Sequence, residues 1–389
     1  MPQGRSTALV AGDGPAGLIA SLVLAKAGVP VTLLTGAPSP QHGHVHTITA
    51  DTLRAIGLLA GTPLAGFADQ PAWQIVGSKL VRAVDRPVLD AKRLTAQLRE
   101  LLEQTGLAPV AVVACGSAEA LTGKALDWLA DPERTGAELC IDATGGSRLI
   151  LKAREPRLDL FETGGHSVYS SWHGTAAVAH PQVTLCETLA SGGAALMVID
   201  SHRVTMTWQS ERPVTEGERD RWLSTLAAMA PAGLRATVHA ATFSSHRLAH
   251  RAPVARRAAI EQLTDHPGAV LLPIGDALLQ TAPQMGKGFA QLVGQCGQLR
   301  THCRAARPDW ASLARALAEG ADAAFLSAAL VGAALDARMP REQAASQSRA
   351  RGPETQEEER TQSQMADLTP RSNSGPALTL PLSPPAAHP

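Results

Sequence analysis

The sequence lacks an excess of charge of either sign. Its 35 lysine and arginine residues are matched by 35 aspartate and glutamate residues, so the formal net charge is +0. Nucleic-acid binding needs concentrated positive charge, and this balance gives no support for it. No stretch reaches the roughly 18 uninterrupted apolar residues of a membrane span, and the N-terminus enters a strand without a signal-peptide pattern. We therefore expect no nucleic-acid partner and no membrane span.

Cysteine is also scarce, with five residues and no Cys-x-x-Cys pair. An odd number without paired spacing argues against a disulfide framework, and reduced thiols in a cytoplasmic protein are the expectation. Three histidines, His42, His44 and His46, fall within five residues, but no acidic or cysteine partner accompanies them. We therefore expect no metal site.

Apolar patterning predicts an α/β fold. Apolar segments at 7–11 and 31–34 flank a helical segment at 18–27, which is the strand–helix–strand unit that opens a doubly wound sheet. Between about 167 and 250, alternating apolar and polar residues instead predict an antiparallel sheet. The remaining predicted helices are 49–59, 89–105, 216–229 and 289–299, and the remaining predicted strands are 110–114, 139–143, 182–189, 196–200, 203–209 and 269–274, with Ser201-His202 as a hairpin tip.

A glycine-rich loop follows the first strand. The segment from Gly12 to Gly17 has the G-x-G-x-x-G spacing of a dinucleotide-binding turn that ends a strand and opens a helix. In such a turn Gly12 makes the bend, Gly14 admits a phosphate, and Gly17 lets helix and strand pack closely. Pro15 and Ala16 begin a helix whose N-terminus supplies free N–H groups and a positive dipole end.

The acidic residue that usually ends the second strand of such a unit is missing. Thr35 stands at this position, and no aspartate or glutamate occurs between Asp13 and Asp51. We therefore expect either that the adenosine half of the nucleotide is bound more loosely or that Thr35 or Gln41 binds it instead.

Two later segments complete a pattern with the glycine loop. The first reads Asp142-Ala-Thr-Gly-Gly-Ser-Arg148, and the second reads Ile274-Gly-Asp-Ala277 followed by a Pro-Gln-Met-Gly-Lys-Gly run ending at Gly288. In this order the three segments resemble the flavin-contacting motifs of FAD-dependent monooxygenases of the aromatic hydroxylase type, which share a glutathione-reductase-like fold with flavin-dependent halogenases. The resemblance covers about residues 5–335.

The resemblance implies FAD as the cofactor and gives several residues a place around it. Asp276 would accept hydrogen bonds from the ribityl hydroxyls, and Asp142 and Gly145 would lie near the pyrophosphate. A helix N-terminus formed by Pro283, Gly286 and Gly288 would meet the pyrimidine edge of the flavin. Lys287 is either aimed at the flavin or solvated.

A loop at 40–46 and an arginine extend the resemblance. Arg86 matches the family's strand-to-helix arginine, and the loop would cover the flavin with His44 or His46 facing the active site as candidate catalytic residues. We predict FAD-binding segments at 5–160 and 251–338 and an inserted antiparallel-sheet substrate domain at 161–250. Residues 339–389 are rich in Gln, Ser, Glu, Arg and Pro, which predicts disorder.

The reaction implied by the resemblance is hydroxylation of an electron-rich aromatic substrate. In that family NAD(P)H reduces FAD, and O2 then forms a flavin C4a-hydroperoxide that transfers oxygen to the ring. No second nucleotide-binding motif appears, which agrees with hydroxylases. The alternatives are a halogenase, a dehydrogenase or reductase of the same fold, a tryptophan hydroxylase of protein-derived quinone cofactor formation, and a flavin binder without catalysis.

The substrate itself is not evident from the sequence. It is either a small aromatic molecule or an aromatic side chain of a partner protein. No Trp-x-Trp segment, the mark of tryptophan halogenases, occurs, and Lys79 is interpreted as an ordinary exposed lysine. Candidate residues for lining the substrate site are Tyr169, Trp172, His173, Met206, Trp208 and His246.

Overall fold

The structure, a computed structural model, describes residues 7–36, 45–64, 72–76, 79–82, 88–104, 109–131, 136–155, 157–163, 167–188, 194–210, 212–252, 255–263, 269–281, 287–305 and 308–337. Four of the predicted site residues, His44, Arg86, Pro283 and Gly286, lie outside these ranges. Gln41 and the predicted tail also lie outside them.

The strands and helices alternate in the N-terminal part of the chain and then segregate. In chain order the strands are β1 Thr7–Ala11, β2 Val31–Thr35, β3 Val45–Thr47, β4 Ala72–Val76, β5 Lys79–Arg82, β6 Val88–Asp90, β7 Val110–Ala114, β8 Ala137–Asp142, β9 Leu160–Thr163, β10 Ser167–Thr188, β11 Ala194–Ser210, β12 Ala241–Ala252, β13 Ala255–Ala258, β14 Val270–Pro273 and β15 Leu279–Thr281. The helices are α1 Pro15–Lys26, α2 Ala50–Ala60, α3 Ala91–Gln104, α4 Ala118–Ala130, α5 Leu149–Arg154, α6 Glu216–Met229, α7 Ala232–His239, α8 Gly288–Cys303 and α9 Trp310–Ala337.

A parallel sheet of five strands carries the nucleotide-binding motifs. Its order is β14–β8–β1–β2–β7, and every pairing in it is parallel. Strand β1 is buried from Ala8 to Ala11, and α1 is buried from Gly17 to Ala25, as expected where helices cover a parallel sheet. The predicted doubly wound α/β fold is confirmed.

A second, largely antiparallel sheet follows β11–β10–β4–β5, with β12 also pairing with β10. The long strand β10 pairs with β12 along its first half and with β4 along its second half. One face of this sheet packs on α6 and α7 through a separate apolar cluster that includes Trp172, Met206 and Leu226. The predicted sheet-rich block is confirmed, whereas its boundaries as a domain stay predictions.

The predicted hairpin tip at Ser201-His202 is wrong. Both residues lie within β11, which continues from Ala194 to Ser210 and pairs with β10 on either side of them. Ser201 has a φ of 57°, and the register shifts between His180 and Val183 of β10, opposite this residue. The extra residues of this irregularity lie on β10, so β10 bulges opposite Ser201, and β11 continues past its one left-handed residue without reversing.

Local signals explain where the helices begin. Thr215 caps α6, and its side chain and that of Glu218 form a reciprocal capping box. Thr49 caps α2, which ends at Gly61 with a left-handed φ of 76°. None of the helices in the described part of the chain combines the length and the apolar character that a bilayer-spanning segment needs.

Candidate functional site

The glycine loop between β1 and α1 has a geometry that only glycine allows at two positions. Gly12 has a φ of 107°, and a Cβ built on it would lie 2.6 Å from the carbonyl oxygen of Ala143. A Cβ on Gly17 would lie 1.8 Å from the carbonyl oxygen of Gly12. A Cβ on Gly14 would meet no atom within 4 Å. Gly12 and Gly17 are therefore required by the fold, while Gly14 borders open space.

The N-terminus of α1 faces the same space with its polar groups available. Gly14 is the N-cap residue, and it makes no side-chain capping bond, while Pro15 occupies the first helical turn. The first turn contains no acidic side chain, and Asp13 in the loop is paired with Arg99 of α3. Within the described residues, no acidic side chain of the first turn neutralises the positive end of the helix dipole, which favours an anionic ligand such as a phosphate.

Asp142, at the end of β8, is fully buried and saturated by its own chain. Its Oδ1 accepts from the backbone N and the hydroxyl of Thr144 at 3.0 and 2.6 Å. Its Oδ2 accepts from the backbone N atoms of Ile150 and Leu151 at 3.1 and 2.9 Å. The carboxylate thus fixes the start of α5 and the turn before it, and a direct contact with a cofactor stays a prediction.

Asp276 follows β14 in a short 3-10 turn, Gly275–Ala277, here named the Asp276 turn. Gly275 donates its N–H to Oε1 of the buried Gln295 of α8 at 2.6 Å. The Asp276 side chain is exposed, yet burial raises its pKa, while the charge of Arg148 lowers it. A carboxylate that is open to solvent and still surrounded by protein lies in a concave site, where a ligand can reach it.

Hydrogen bonds between neighbouring strands bring the three motifs together. Ala143 donates its backbone N–H to Ala11 at 2.8 Å, and Ile274 donates to the backbone carbonyl of Asp142 at 3.0 Å. A Cβ on Gly275 would lie 3.1 Å from the Cβ of Ala16. The Asp276 turn also contacts α8 and a second 3-10 turn, Gly145–Ser147, here named the Gly145 turn. The motifs therefore share the carboxyl edge of the parallel sheet, where doubly wound folds bind ligands.

The remaining predicted cofactor residues lie near this edge or at its borders. Thr35 ends β2 next to β1, and its carbonyl accepts from the backbone N of Cys115 at 2.9 Å. Gly145 has a φ of 67° and, like Gly288 at the start of α8, has no atom within 4 Å of a Cβ position. Lys287 donates to the hydroxyl of Ser327 of α9 at 3.3 Å. Its ammonium is therefore engaged with α9 in this structure.

The candidate substrate residues divide between two faces of the second sheet. Trp172 and Met206 are fully buried in the cluster against α6 and α7, and Trp208 packs edge-on against Trp222 of α6 at 6.0 Å. His246 pairs with Trp172 across the strands and stacks on its ring at 4.7 Å. Because side chains alternate along a strand, Tyr169 and His173 lie on the opposite face.

Histidine and cysteine take no part in a metal site within the described ranges. His46 lies on β3, opposite Leu89 of β6. No group of three or more His, Cys, Asp or Glu side chains among the described residues is placed to hold a metal ion. All five cysteines are free, and burial raises the pKa of the Cys296 and Cys303 thiols to about 12.

No protein-family model matches the chain, and no curated protein matches it. Solved structures, in contrast, do match this chain. The structure of P. aeruginosa PqsL in complex with 2-aminobenzoylacetate superposes with a TM-score of 0.59 at 16% identity, covering 87% of this chain and 98% of that one. The fold is that of FAD-dependent monooxygenases and halogenases.

Two further solved structures share this flavoprotein fold. The peptidyl tryptophan dihydroxylase QhpG, essential for tryptophylquinone cofactor biogenesis, gives a TM-score of 0.58 at 18% identity, covering 85% of this chain and 75% of that one. The myxobacterial chondrochloren halogenase CndH, a variant of FAD-dependent halogenases, gives 0.57 at 13% identity, with 80% and 78% covered. At these identities the likeness establishes the fold, and the reaction requires its own argument.

The residues present fit a flavin dinucleotide. Gly14 leaves room for a phosphate beside a bare helix N-terminus, and the exposed Asp276 carboxylate can accept hydrogen bonds from hydroxyl groups. Nη2 of the buried Arg148 has no hydrogen-bond partner in the described part of the chain. Such a donor is costly to bury unpaired. The space beside Gly14, the Asp276 acceptor and the Arg148 donor therefore lie at the same edge of the parallel sheet.

Sequence reasoning gave no role to Arg148 or Gln295. Arg148 closes the Asp142 motif, so its position was visible, but its contact with Ala277 spans 129 residues of sequence. Gln295 lies on the predicted helix after Gly288, and the structure shows it to be buried. The available signal in the sequence was a glutamine among the apolar residues of that helix, since a buried amide needs a hydrogen-bond partner.

Proposed function

We propose that this protein is an FAD-dependent monooxygenase that uses NAD(P)H and hydroxylates an electron-rich aromatic group. The meeting of the glycine loop, the Gly145 turn and the Asp276 turn at one sheet edge carries this proposal. A cytoplasmic location, in keeping with five free cysteines, belongs to the same proposal.

The chain's own residues would bind and orient the cofactor. The N–H groups at the start of α1 would hold the pyrophosphate beside Gly14, and Asp276 would accept from the ribityl hydroxyls. The N-terminus of α8, which has no side-chain capping bond at Lys287, would face the pyrimidine edge and stabilise negative charge there. The flavin, when bound, would supply hydride acceptance and the activation of O2.

The second sheet would cover the substrate on the face opposite α6. Tyr169 is buried on that face, and burial raises its pKa, so its phenol stays protonated at neutral pH. Ser171 and Thr207 lie beside each other there, with their hydroxyls 3.4 Å apart. A face with buried hydroxyl groups suits an aromatic substrate that carries polar substituents, and its burial would exclude water from the reaction.

The substrate class follows from the fold relatives only as a proposal. Two of them are a dihydroxylase of peptidyl tryptophan and an enzyme solved with 2-aminobenzoylacetate. Both groups are aromatic and carry nitrogen on or in the ring system. We therefore propose an electron-rich aromatic amine or indole, free or within a partner protein, as the group that is hydroxylated.

Two observations favour hydroxylation over halogenation. The sequence contains no Trp-x-Trp segment. Lys79 is exposed at the start of edge strand β5, where it pairs with Val76 at the end of β4. Lys79 therefore lies at the surface, as expected of an ordinary exposed lysine.

The test is NAD(P)H oxidation by the FAD-loaded protein across a panel of phenols, anilines, indoles and tryptophan peptides, with and without chloride or bromide. A substrate that stimulates oxidation and gains the mass of one oxygen would support the proposal. A product formed only with halide would assign the protein to the halogenases. Absence of flavin binding at any concentration would refute the proposal as a whole.

A further inference from the structure

Arg148 joins the two turns that flank the candidate cofactor site. Its guanidinium is fully buried, Nε donates to the carbonyl of Ala277 at 2.9 Å, and Nη1 donates to the carbonyl of Gly146 at 3.1 Å. One planar side chain thus ties the Asp276 turn to the Gly145 turn. These turns lie on β14 and β8 of the sheet, so they are brought together only in the folded chain.

The backbone of Arg148 is held in a conformation that arginine seldom adopts. Its φ and ψ are 50° and 47°, in the left-handed region, between the Gly145 turn and α5. A non-glycine residue in this region costs free energy and persists where its surroundings fix it. Here the anchored start of α5, held by Asp142, and the two side-chain hydrogen bonds fix it. The geometry directs the guanidinium toward the Asp276 turn.

Of the carboxylates around Arg148, Asp276 is the one whose negative charge is most stabilised by the guanidinium. Asp276, Asp142 and Glu162 face the guanidinium as anions and Arg256 as a cation. Asp142 is saturated by backbone and Thr144 donors, and Glu162 pairs with Arg256. No hydrogen bond or ion pair to another described residue engages the Asp276 carboxylate, although Arg148 lowers its pKa against the effect of burial.

We propose that Arg148 is a positioning residue of the cofactor site, which ties the Asp276 turn to the Gly145 turn and so places the Asp276 carboxylate to accept hydrogen bonds from hydroxyl groups of the ligand. The inference rests on the proposed function, since it takes the flavin dinucleotide as that ligand. Loss of the arginine would have two effects. It would remove the hydrogen bonds that tie the two turns together, and it would remove a positive charge near Asp276.

The two effects are separable by substitution. Arg148→Gln removes the charge and shortens the side chain, and Arg148→Lys keeps the charge but loses the planar fork that reaches two carbonyls. The measurement is the Kd of FAD, followed by flavin fluorescence between pH 5 and pH 9, with Lys152→Gln on the exposed face of α5 as the matched control. Circular dichroism and thermal unfolding of each variant establish that it is folded.

The pH dependence has a defined sign. Asp276 has a pKa raised by burial and lowered by Arg148, so removing Arg148 raises the pKa further. FAD affinity therefore weakens as pH falls, and it does so at a higher pH in Arg148→Gln than in the wild type. We expect Arg148→Gln to bind about ten-fold or more weakly at neutral pH. Arg148→Lys should bind more weakly at every pH while keeping the wild-type profile.

Several outcomes would overturn the inference. One is wild-type affinity and profile in Arg148→Gln, and another is an equal loss at every pH in both variants. If Arg148→Gln does not fold, Arg148→Lys and Asp276→Asn decide instead, because the asparagine variant should lose the pH dependence, and a dependence that persists would refute the role. A wild-type protein that binds no FAD refutes the proposed function and is thereby distinguished from failure of this inference.

Discussion

Gly14 and Gly17 provide a matched pair for separating cofactor binding from folding. Both glycines become alanine, so the added group is the same methyl. At Gly14 the methyl enters open space, and the backbone has a φ of −72°, which alanine adopts readily. At Gly17 the methyl would lie 1.8 Å from a backbone carbonyl oxygen, far inside contact distance. The two variants should therefore fail in different ways.

The magnitudes follow from these surroundings. In Gly14→Ala, a weaker N-cap costs up to about 1 kcal/mol, and reduced freedom of the unfolded chain returns about 0.4–1 kcal/mol, so stability should change little. In Gly17→Ala, α1 must move away from β1, and overpacking of this kind costs about 1–3 kcal/mol or more. At about 1–2 °C per kcal/mol for a folded body of this size, its Tm should fall by roughly 1–6 °C.

FAD affinity should fall in Gly14→Ala even though the stability of this variant changes little. The Gly14 methyl would occupy the space assigned to the pyrophosphate, so the Kd of FAD should rise at least about ten-fold, or about 1.4 kcal/mol, without loss of fold. Flavin fluorescence titration gives the Kd, and thermal unfolding of the flavin-free protein gives the Tm. Unchanged FAD affinity in Gly14→Ala would refute the assignment of this loop to the phosphates.

Three further results are expected. Asp276→Ala should weaken FAD binding about ten- to a hundred-fold, because a hydrogen bond to a charged group contributes about 1.5–3 kcal/mol, and unchanged affinity in a titration would contradict the ribityl assignment. The pKa of Glu218 is lowered to about 2, first by its hydrogen bond to Arg212, so its contribution to stability is present above its unfolded pKa and is lost as pH falls toward 2. Glu218→Gln should therefore flatten the acid side of the thermal stability profile between about pH 4.5 and pH 2, and an unaltered profile would show that the exposed pair contributes nothing. Truncation after Arg338 should leave Tm and flavin content unchanged in the purified protein, since the removed sequence has no periodic apolar face, and a large drop in either would contradict this.

The glycine loop could be predicted because the backbone conformation and the contact that select its glycines arise largely within the loop. Gly12 needs a positive φ and Gly17 needs a missing side chain, and both needs arise within six residues of chain. The same holds for α6, whose capping box and length are encoded between Thr215 and Met229. Signals that lie close together in sequence therefore gave the correct elements.

The features that the sequence did not predict depend on partners that are distant in sequence. The pair Ser201-His202 has the composition of a hairpin turn, but β10 pairs with β11 on both sides of it, so the strand continues past it. Likewise, nothing near Arg148 indicates that its guanidinium reaches Ala277. The alternation of Tyr169 and Trp172 did contain a usable signal, because residues three apart on a strand lie on opposite faces.

The burial of three of the five thiols gives the protein an internal reporter of unfolding. Cys140, Cys296 and Cys303 are buried with raised pKa values, whereas Cys115 and Cys186 are partly exposed. Alkylation depends on the thiolate and on access to it, so mild reagents near neutral pH should discriminate between the two groups. Labelling of Cys296 and Cys303 would then follow the opening of α8, the helix whose Gln295 anchors the Asp276 turn. Flavin release and helix opening could thus be timed against each other in one sample without an added probe.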